Sequence, residues 1–281
     1  MGQPQLPYFD YLLAELEKQN PIVEKSFGRH VHWGYWDDPK KARCDDDDFA
    51  RAAERLTLEL CQLAGIAEGE QVLDVGCGFG GTIASLNERF SKLQMTGLNI
   101  DARQLARAQQ LVQPLRENMV KFCQGDACSL PFGDGNFDHL LAVECIFHFS
   151  SRESFFKEAF RVLRPGGVLA LSDLIPPLIF LPVGRLATSN WFEKYNLFGR
   201  CNVEYTIGKY RRMALKTGLV SVAERNITRQ TLPTYRYLEG LLAQNDAIGG
   251  YVKVLAPLLR MQRLFGAFGP LNYWLLSFRK P

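Results

Sequence analysis

Val72-Leu73-Asp74-Val75-Gly76-Cys77-Gly78-Phe79-Gly80-Gly81 is the stretch from which the rest of the chain can be read. Aliphatic pairs around Asp74 predict a short buried strand. The glycines after it predict a turn whose backbone passes close under a ligand. Two patterns fit: Gly76, Gly78 and Gly81 match the G-x-G-x-x-G dinucleotide fingerprint, while Asp74, Gly76, Gly78 and Gly80 match the D-x-G-x-G-x-G loop that holds S-adenosylmethionine (SAM). Asp74 separates them. A carboxylate at the strand end repels a pyrophosphate but neutralises the α-ammonium of SAM, which carries no phosphate. An NAD-type dehydrogenase is disfavoured on the same ground.

Moving outward, helix and strand alternate on both sides of this loop. A helix from Phe49 to Leu63, preceded by the acidic run Asp45 to Asp48 that caps it, ends at Gly65. Thr82 to Phe90 predicts the helix that receives the loop, its first N–H groups aimed at the carboxylate end of the ligand. A strand from Gln94 to Ile100 places Asn99 and Ile100 where such folds read ribose hydroxyls, and the helix from Ala102 carries Gln104. A strand from Met119 to Cys123 leads to Asp126 and Ala127, an acceptor and an apolar wall suited to adenine. Phe137 to Phe149 predicts a fourth strand and turn delivering Glu144 and His148 at its carboxyl end, the edge on which ligands of open parallel sheets sit. Arg152 to Leu163 predicts a helix closed by Pro165-Gly166-Gly167, and Val168 to Asp173 a fifth strand. A helix Ile207 to Thr217, a strand Leu219 to Ile227, helical material from Thr234 to Leu264 and a strand Asn272 to Arg279 complete the pattern. The fold class predicted is α/β: a doubly wound, mostly parallel seven-stranded sheet.

Three segments lie outside the alternation. Tyr8 to Lys18 predicts a helix stopped by Pro21, and His30 to Asp37 is an aromatic loop read as a lid over the ligand, with Tyr35 and Trp36 touching it; the alternative is a plug that packs the N-terminal helix on the core. The stretch Leu174 to Tyr205 is too apolar for a solvated linker and predicts a cover over the acceptor side, with Trp191, Phe192 and Tyr195, joined by Tyr237, as substrate walls. The division predicted is a cap (1–48), a SAM-binding core (49–173), an acceptor cover (174–205) and a C-terminal completion (206–281).

Composition bounds the partners. The 281 residues, 47% hydrophobic with a formal charge of +3, suffice for a full core and show no basic stripe of the kind that binds nucleic acid. Seven cysteines, none in C-x-x-C, read as reduced thiols of a cytoplasmic protein. His30-x-His32 lacks a third ligand at metal spacing, so no metal is predicted. The apolar residues from Leu255 to Phe265 read as core packing in preference to a membrane-surface helix.

Taken together, Val72 to Gly81, Gly97-Leu98-Asn99-Ile100, Gly125-Asp126-Ala127, Pro131-Phe132 with Phe137-Asp138, and Leu163 to Gly167 resemble, in order and spacing, the motifs of class I SAM-dependent methyltransferases over about residues 50 to 175. His-Trp-Gly-Tyr-Trp-Asp, Glu-Cys-Ile-Phe-His-Phe and the C-terminal Tyr-Trp-Leu-Leu-Ser-Phe-Arg-Lys-Pro resemble the small-molecule branch, which includes rebeccamycin-type sugar, microcystin-tailoring, and tocopherol and sterol methyltransferases. The resemblance implies SAM as methyl donor, S-adenosylhomocysteine as product, and a small-molecule acceptor. It departs at Asn99, where many relatives have an acidic residue. It further implies His148 as proton acceptor and Asp173 as its orienting partner or an acceptor ligand, with Glu144 touching SAM or a cationic intermediate. Hydroxyl methylation is the leading reading; C-methylation of an alkene or prenyl-type substrate, or a SAM-binding regulatory scaffold, are the alternatives.

Overall fold

The computed structural model describes residues 6–180, 201, 202, 204–243, 257 and 259–281. Three helices come first, α1 (Pro7–Glu17), α2 (Pro21–Phe27) and α3 (Asp46–Ala64). The stretch around Asp74 is β1 (Gln71–Val75), followed by α4 (Gly81–Arg89), β2 (Gln94–Asn99), α5 (Ala102–Leu111), β3 (Met119–Gln124), β4 (Phe137–Ala142), α6 (Arg152–Val162) and β5 (Leu163–Ile175). Then come α7 (Ile207–Thr217), β6 (Val220–Asn226), α8 (Thr228–Ala243) and β7 (Asn272–Arg279). The strands make one seven-stranded sheet in the order β3-β2-β1-β4-β5-β7-β6. β1 pairs in parallel with β2 and β4, and β7 is inserted antiparallel between β5 and β6. Helices cover both faces of the parallel part, so β1 and β4 are apolar on both sides and nearly fully buried. The strand order reverses between β1 and β4, which opens a crevice at their carboxyl ends.

Local chemistry moves several boundaries. Asp45 is the cap of α3, accepting from the Asp48 N–H at 2.8 Å, so the acidic run forms the first helical turn and does not merely precede it. Pro21 is not a stop: it opens α2, where its missing N–H costs nothing, and the Asn20 side chain accepts from Ile22 and Val23 N–H. Pro165-Gly166-Gly167 lies inside β5, where the register against β4 slips between Phe137 and His139 and Gly166 takes φ 83°. α8 begins at Thr228, before the predicted start.

The aromatic loop divides. Tyr35 and Trp36 are fixed through backbone N–H groups to the Ala52 and Gln230 carbonyls, and the Trp36 indole donates to Asp48 at 2.9 Å while its ring packs near Phe49. Arg55 lies over the Tyr35 ring. These two side chains form the plug, not the lid. Tyr237 also belongs there: it stacks on Phe49 with ring centroids 4.3 Å apart, donates to Asp46 at 2.9 Å and shares a hydrogen bond with Ser26. None of the three lines the main cavity, which overturns their assignment to SAM or the acceptor.

Trp191, Phe192 and Tyr195 fall outside the described residues. Of the C-terminal apolar residues, Leu259 is buried with Tyr235 and Leu242, whereas Leu264 and Phe265 are exposed. Among the described residues no helix is long and apolar enough to cross a membrane. The plug yields a prediction: Tyr237→Phe removes one buried and one part-buried hydrogen bond and should cost about 1–2 kcal/mol, a fall in Tm of roughly 3–6 °C by scanning fluorimetry. An unshifted melt would show that the plug does not depend on them.

Candidate active site

The crevice at the switch point is a cavity of about 590 Å³, a size suited to a cofactor-scale ligand. Asp74, Gly76, Cys77 and Gly78 from the β1 loop, Asn99, Ile100 and Gln104 from the end of β2 and start of α5, Asp126 and Ala127 after β3, and Glu144 and His148 after β4 all line it. Gly80 does not. It sits against Ala108, Val112 and Phe122 and is needed for φ 81° at the cap of α4. Gly76 combines φ 66° with an approach to Cys145 that would put a β-carbon 2.6 Å from the Cys145 Cβ, so the loop can be so tight only with glycine there.

Asp74 is the electrostatic feature of the cavity. The residue is 1% exposed and its Oδ2 has no hydrogen-bond partner among the described residues, and burial pushes its pKa up to about 8. Burial thus favours the protonated form of Asp74 at neutral pH, and a cation brought beside it favours the ionised form. The cavity's other polar groups are organised. Asn99 donates to Gln104 Oε1 at 2.9 Å and accepts from the Asp101 N–H at 3.2 Å, which fixes an uncharged amide pair at the end of β2. Asp126 accepts from the Cys128 N–H at 2.8 Å, holding the turn on which Ala127 offers its apolar surface.

Glu144 has φ 46°, the left-handed region that a non-glycine residue rarely adopts. Its N–H donates to Ser172 Oγ, and its Oε1 accepts from the Trp33 N–H at 2.7 Å and the Tyr273 hydroxyl at 2.5 Å. Burial pushes its pKa up to about 8, against the pull of these two bonds. Glu144 thereby ties together the N-terminal loop, β4 and β7.

His148 ends a short turn, Ile146–His148, and is half-buried at the cavity wall. Its Nε2 lies 3.4 Å from the Tyr8 hydroxyl and its Nδ1 3.8 Å from Cys201 Sγ. Asp173 is elsewhere. It is fully buried, 3.0 Å from Arg152, accepts from the Tyr210 hydroxyl at 2.5 Å, and does not line the cavity, so it does not orient His148. The expected His–Asp pair is overturned because a buried arginine claims the carboxylate first.

Sequence reasoning missed two contributors, Tyr8 and Arg29. Tyr8 on α1 reaches His148, although the helix was recognised only by its leucines. Arg29 and the pair His30 and His32 also line the cavity. His30 Nε2 lies 2.7 Å from Glu54, and His32 Nδ1 donates to its neighbour's carbonyl, Trp33 O, at 2.9 Å while Nε2 meets Thr57. Desolvation pushes the pKa of His32 down to about 3, so it packs as a neutral ring. His30 and His32 open the loop that the sequence predicts as a lid, and this end of it does border the cavity, held by Glu54 and Thr57 from α3.

A family model described as "Methyltransferase domain" matches residues 73–171. The chain is 33% identical over 219 residues to "Methyltransferase GfsG" of Streptomyces halstedii, covering 78% of this chain and 76% of that one. It is 29% identical to the "27-O-demethylrifamycin SV methyltransferase" of Amycolatopsis mediterranei, over 92% and 93% of the two chains. A solved structure, that of the "[4+2]-Cyclase SpnF", superposes with a TM-score of 0.73 at 22% identity, covering 100% of this chain and 98% of the other, a likeness of fold alone. The chain belongs to the class I SAM-dependent methyltransferases. The residues present fit the donor: a buried carboxyl oxygen lacking a partner awaits an ammonium, and the neutral Asn99–Gln104 pair stands where a ribose diol can both donate and accept.

This account makes SAM binding a proton-linked event. Because Asp74 must pass from protonated to ionised, about one proton should be released at pH 7, and affinity should rise with pH until about 8 and then level. Titration calorimetry in buffers of different ionisation enthalpy measures the release. In Asp74→Asn the proton release should vanish and SAM affinity fall by about tenfold or more, since one lost pair of opposite charges at short range is worth at least 1.4 kcal/mol in a buried site. Unchanged affinity would remove the ammonium argument.

Proposed function

We propose that the protein transfers the methyl group of SAM to a hydroxyl oxygen of a small, partly apolar metabolite, with His148 taking the hydroxyl proton. The observation that carries this reading is the position of His148: it lines the donor cavity at the carboxyl edge of the sheet, with its Nε2 beside the Tyr8 hydroxyl. Relatives named as acting on natural products support it, among them the rifamycin methyltransferase.

Bound SAM supplies an electrophilic methyl group whose sulfonium charge disappears on transfer. The chain's own residues must then hold the donor, align the acceptor and receive one proton. Asp74 holds the ammonium, Asn99 and Gln104 the ribose, and Asp126 with Ala127 the adenine. An imidazole is the side chain best suited by chemistry to accept a proton near neutral pH, and His148 supplies one at the cavity wall. Glu144 lines the cavity beside the donor and holds the N-terminal loop down through Trp33. With this proposal goes the segmental reading of a cap (1–48), a core (49–173), an acceptor cover (174–205) carrying Trp191, Phe192 and Tyr195, and a completing segment (206–281).

Incubation with labelled SAM and a panel of hydroxylated natural products tests the reading, the methylated position being located by NMR. His148→Ala should lower kcat by about 100-fold or more while S-adenosylhomocysteine affinity stays unchanged. Near-normal turnover in that variant, or a methyl group found on carbon, would overturn the proposal.

A further inference from the structure

An imidazole that accepts a proton at one nitrogen is normally oriented by a hydrogen bond at the other. The sequence offers Asp173 for this, and Arg152 and Tyr210 have taken it. What faces the second nitrogen is a thiol: Cys201 Sγ lies 3.8 Å from His148 Nδ1. The segment that carries it is stitched to the histidine's own turn, since the Asn202 N–H donates to the Phe147 carbonyl at 2.8 Å. On the far side the Tyr8 ring stacks on the imidazole, with centroids 6.1 Å apart and planes 22° from parallel.

We infer that Cys201 is the positioning residue of His148, fixing its ring and tautomer with an uncharged partner where a carboxylate might have stood. The inference rests on the reading of His148 as proton acceptor. A neutral imidazole has one N–H and one in-plane lone pair. A phenol O–H is a stronger donor than a thiol S–H, so the lone pair belongs at Nε2, beside Tyr8 and the cavity, and the N–H points from Nδ1 to sulfur. Burial and the nearby Asp173 push the Cys201 thiol up to about 12, so it remains uncharged.

The choice of a thiol has a consequence for basicity. A carboxylate at Nδ1 stabilises imidazolium and raises the pKa of the ring, whereas a neutral sulfur orients the ring without that charge. Among the described residues, the titratable and charged groups that face the two partners of His148 are Glu144 and Cys145 from the turn after β4, beside Tyr8, and Asp173 on β5 and Arg152 on α6, beside Cys201.

The test needs no acceptor. Protein labelled with ¹⁵N-histidine and saturated with S-adenosylhomocysteine is titrated by NMR, the His148 resonances being those lost in His148→Ala. The parent should carry its proton on Nδ1. Cys201→Ala, nearly isosteric, should show mixed tautomers, and Cys201→Asp should raise the titration midpoint by about one pH unit. Unchanged S-adenosylhomocysteine affinity certifies the fold of each variant; if Cys201→Asp does not fold, Cys201→Ala decides alone. The parent's tautomer persisting in Cys201→Ala would overturn the inference, as would an unmoved midpoint in folded Cys201→Asp. Either result beside an inactive His148→Ala sinks only the role of Cys201, whereas an active His148→Ala sinks the base reading itself.

Discussion

A carboxyl group taken out of water without a partner costs several kcal/mol if it stays charged, so it stays protonated until something cationic arrives. Asp74 is in that position, at the end of the central parallel strand, and the rest of the site can be understood as arranged around it. The reversal of strand order between β1 and β4 creates the crevice, and the glycine turn lets the backbone fold tightly against Cys145. Among the described residues no cation is near enough to satisfy the carboxylate. The ligand must do so, which couples affinity for SAM to the ionisation of one side chain.

A second carboxylate holds the enclosure together. Glu144, in a strained backbone conformation next to the donor cavity, accepts from the N-terminal loop and from β7, so segments 240 residues apart in the chain meet on one oxygen. Strain of this kind persists only where surrounding structure over-determines it. The third carboxylate, Asp173, has its own buried partners in Arg152 and Tyr210 and is withdrawn from the reaction space. Three acids at one sheet edge thus have three fates: one left for the ligand, one used as a tie, one neutralised internally.

The core was legible in the sequence because its determinants are local. The alternation of apolar strands with amphipathic helices, the glycines after Asp74 and the short motifs at the ends of β2, β3 and β4 each follow from a few adjacent residues, and they put Asp74, Asn99, Asp126, Glu144 and His148 on one cavity wall. What was not legible depends on partners far away in the chain. Nothing around Arg152 announces that it is buried against Asp173. Trp36 and Tyr237 read as ligand walls because an aromatic side chain looks the same in a plug as in a pocket, and only their packing on Phe49 distinguishes the two. Tyr8 was hidden in a helix identified by other residues, and Cys201 by the absence of any pattern around a single thiol.

The most direct measurement is a crystal structure with S-adenosylhomocysteine bound. The ammonium group should lie against Asp74, and the sulfur should be directed toward His148 and its neighbour Tyr8. A ligand whose ammonium lies away from Asp74, or whose sulfur faces away from His148, would contradict it.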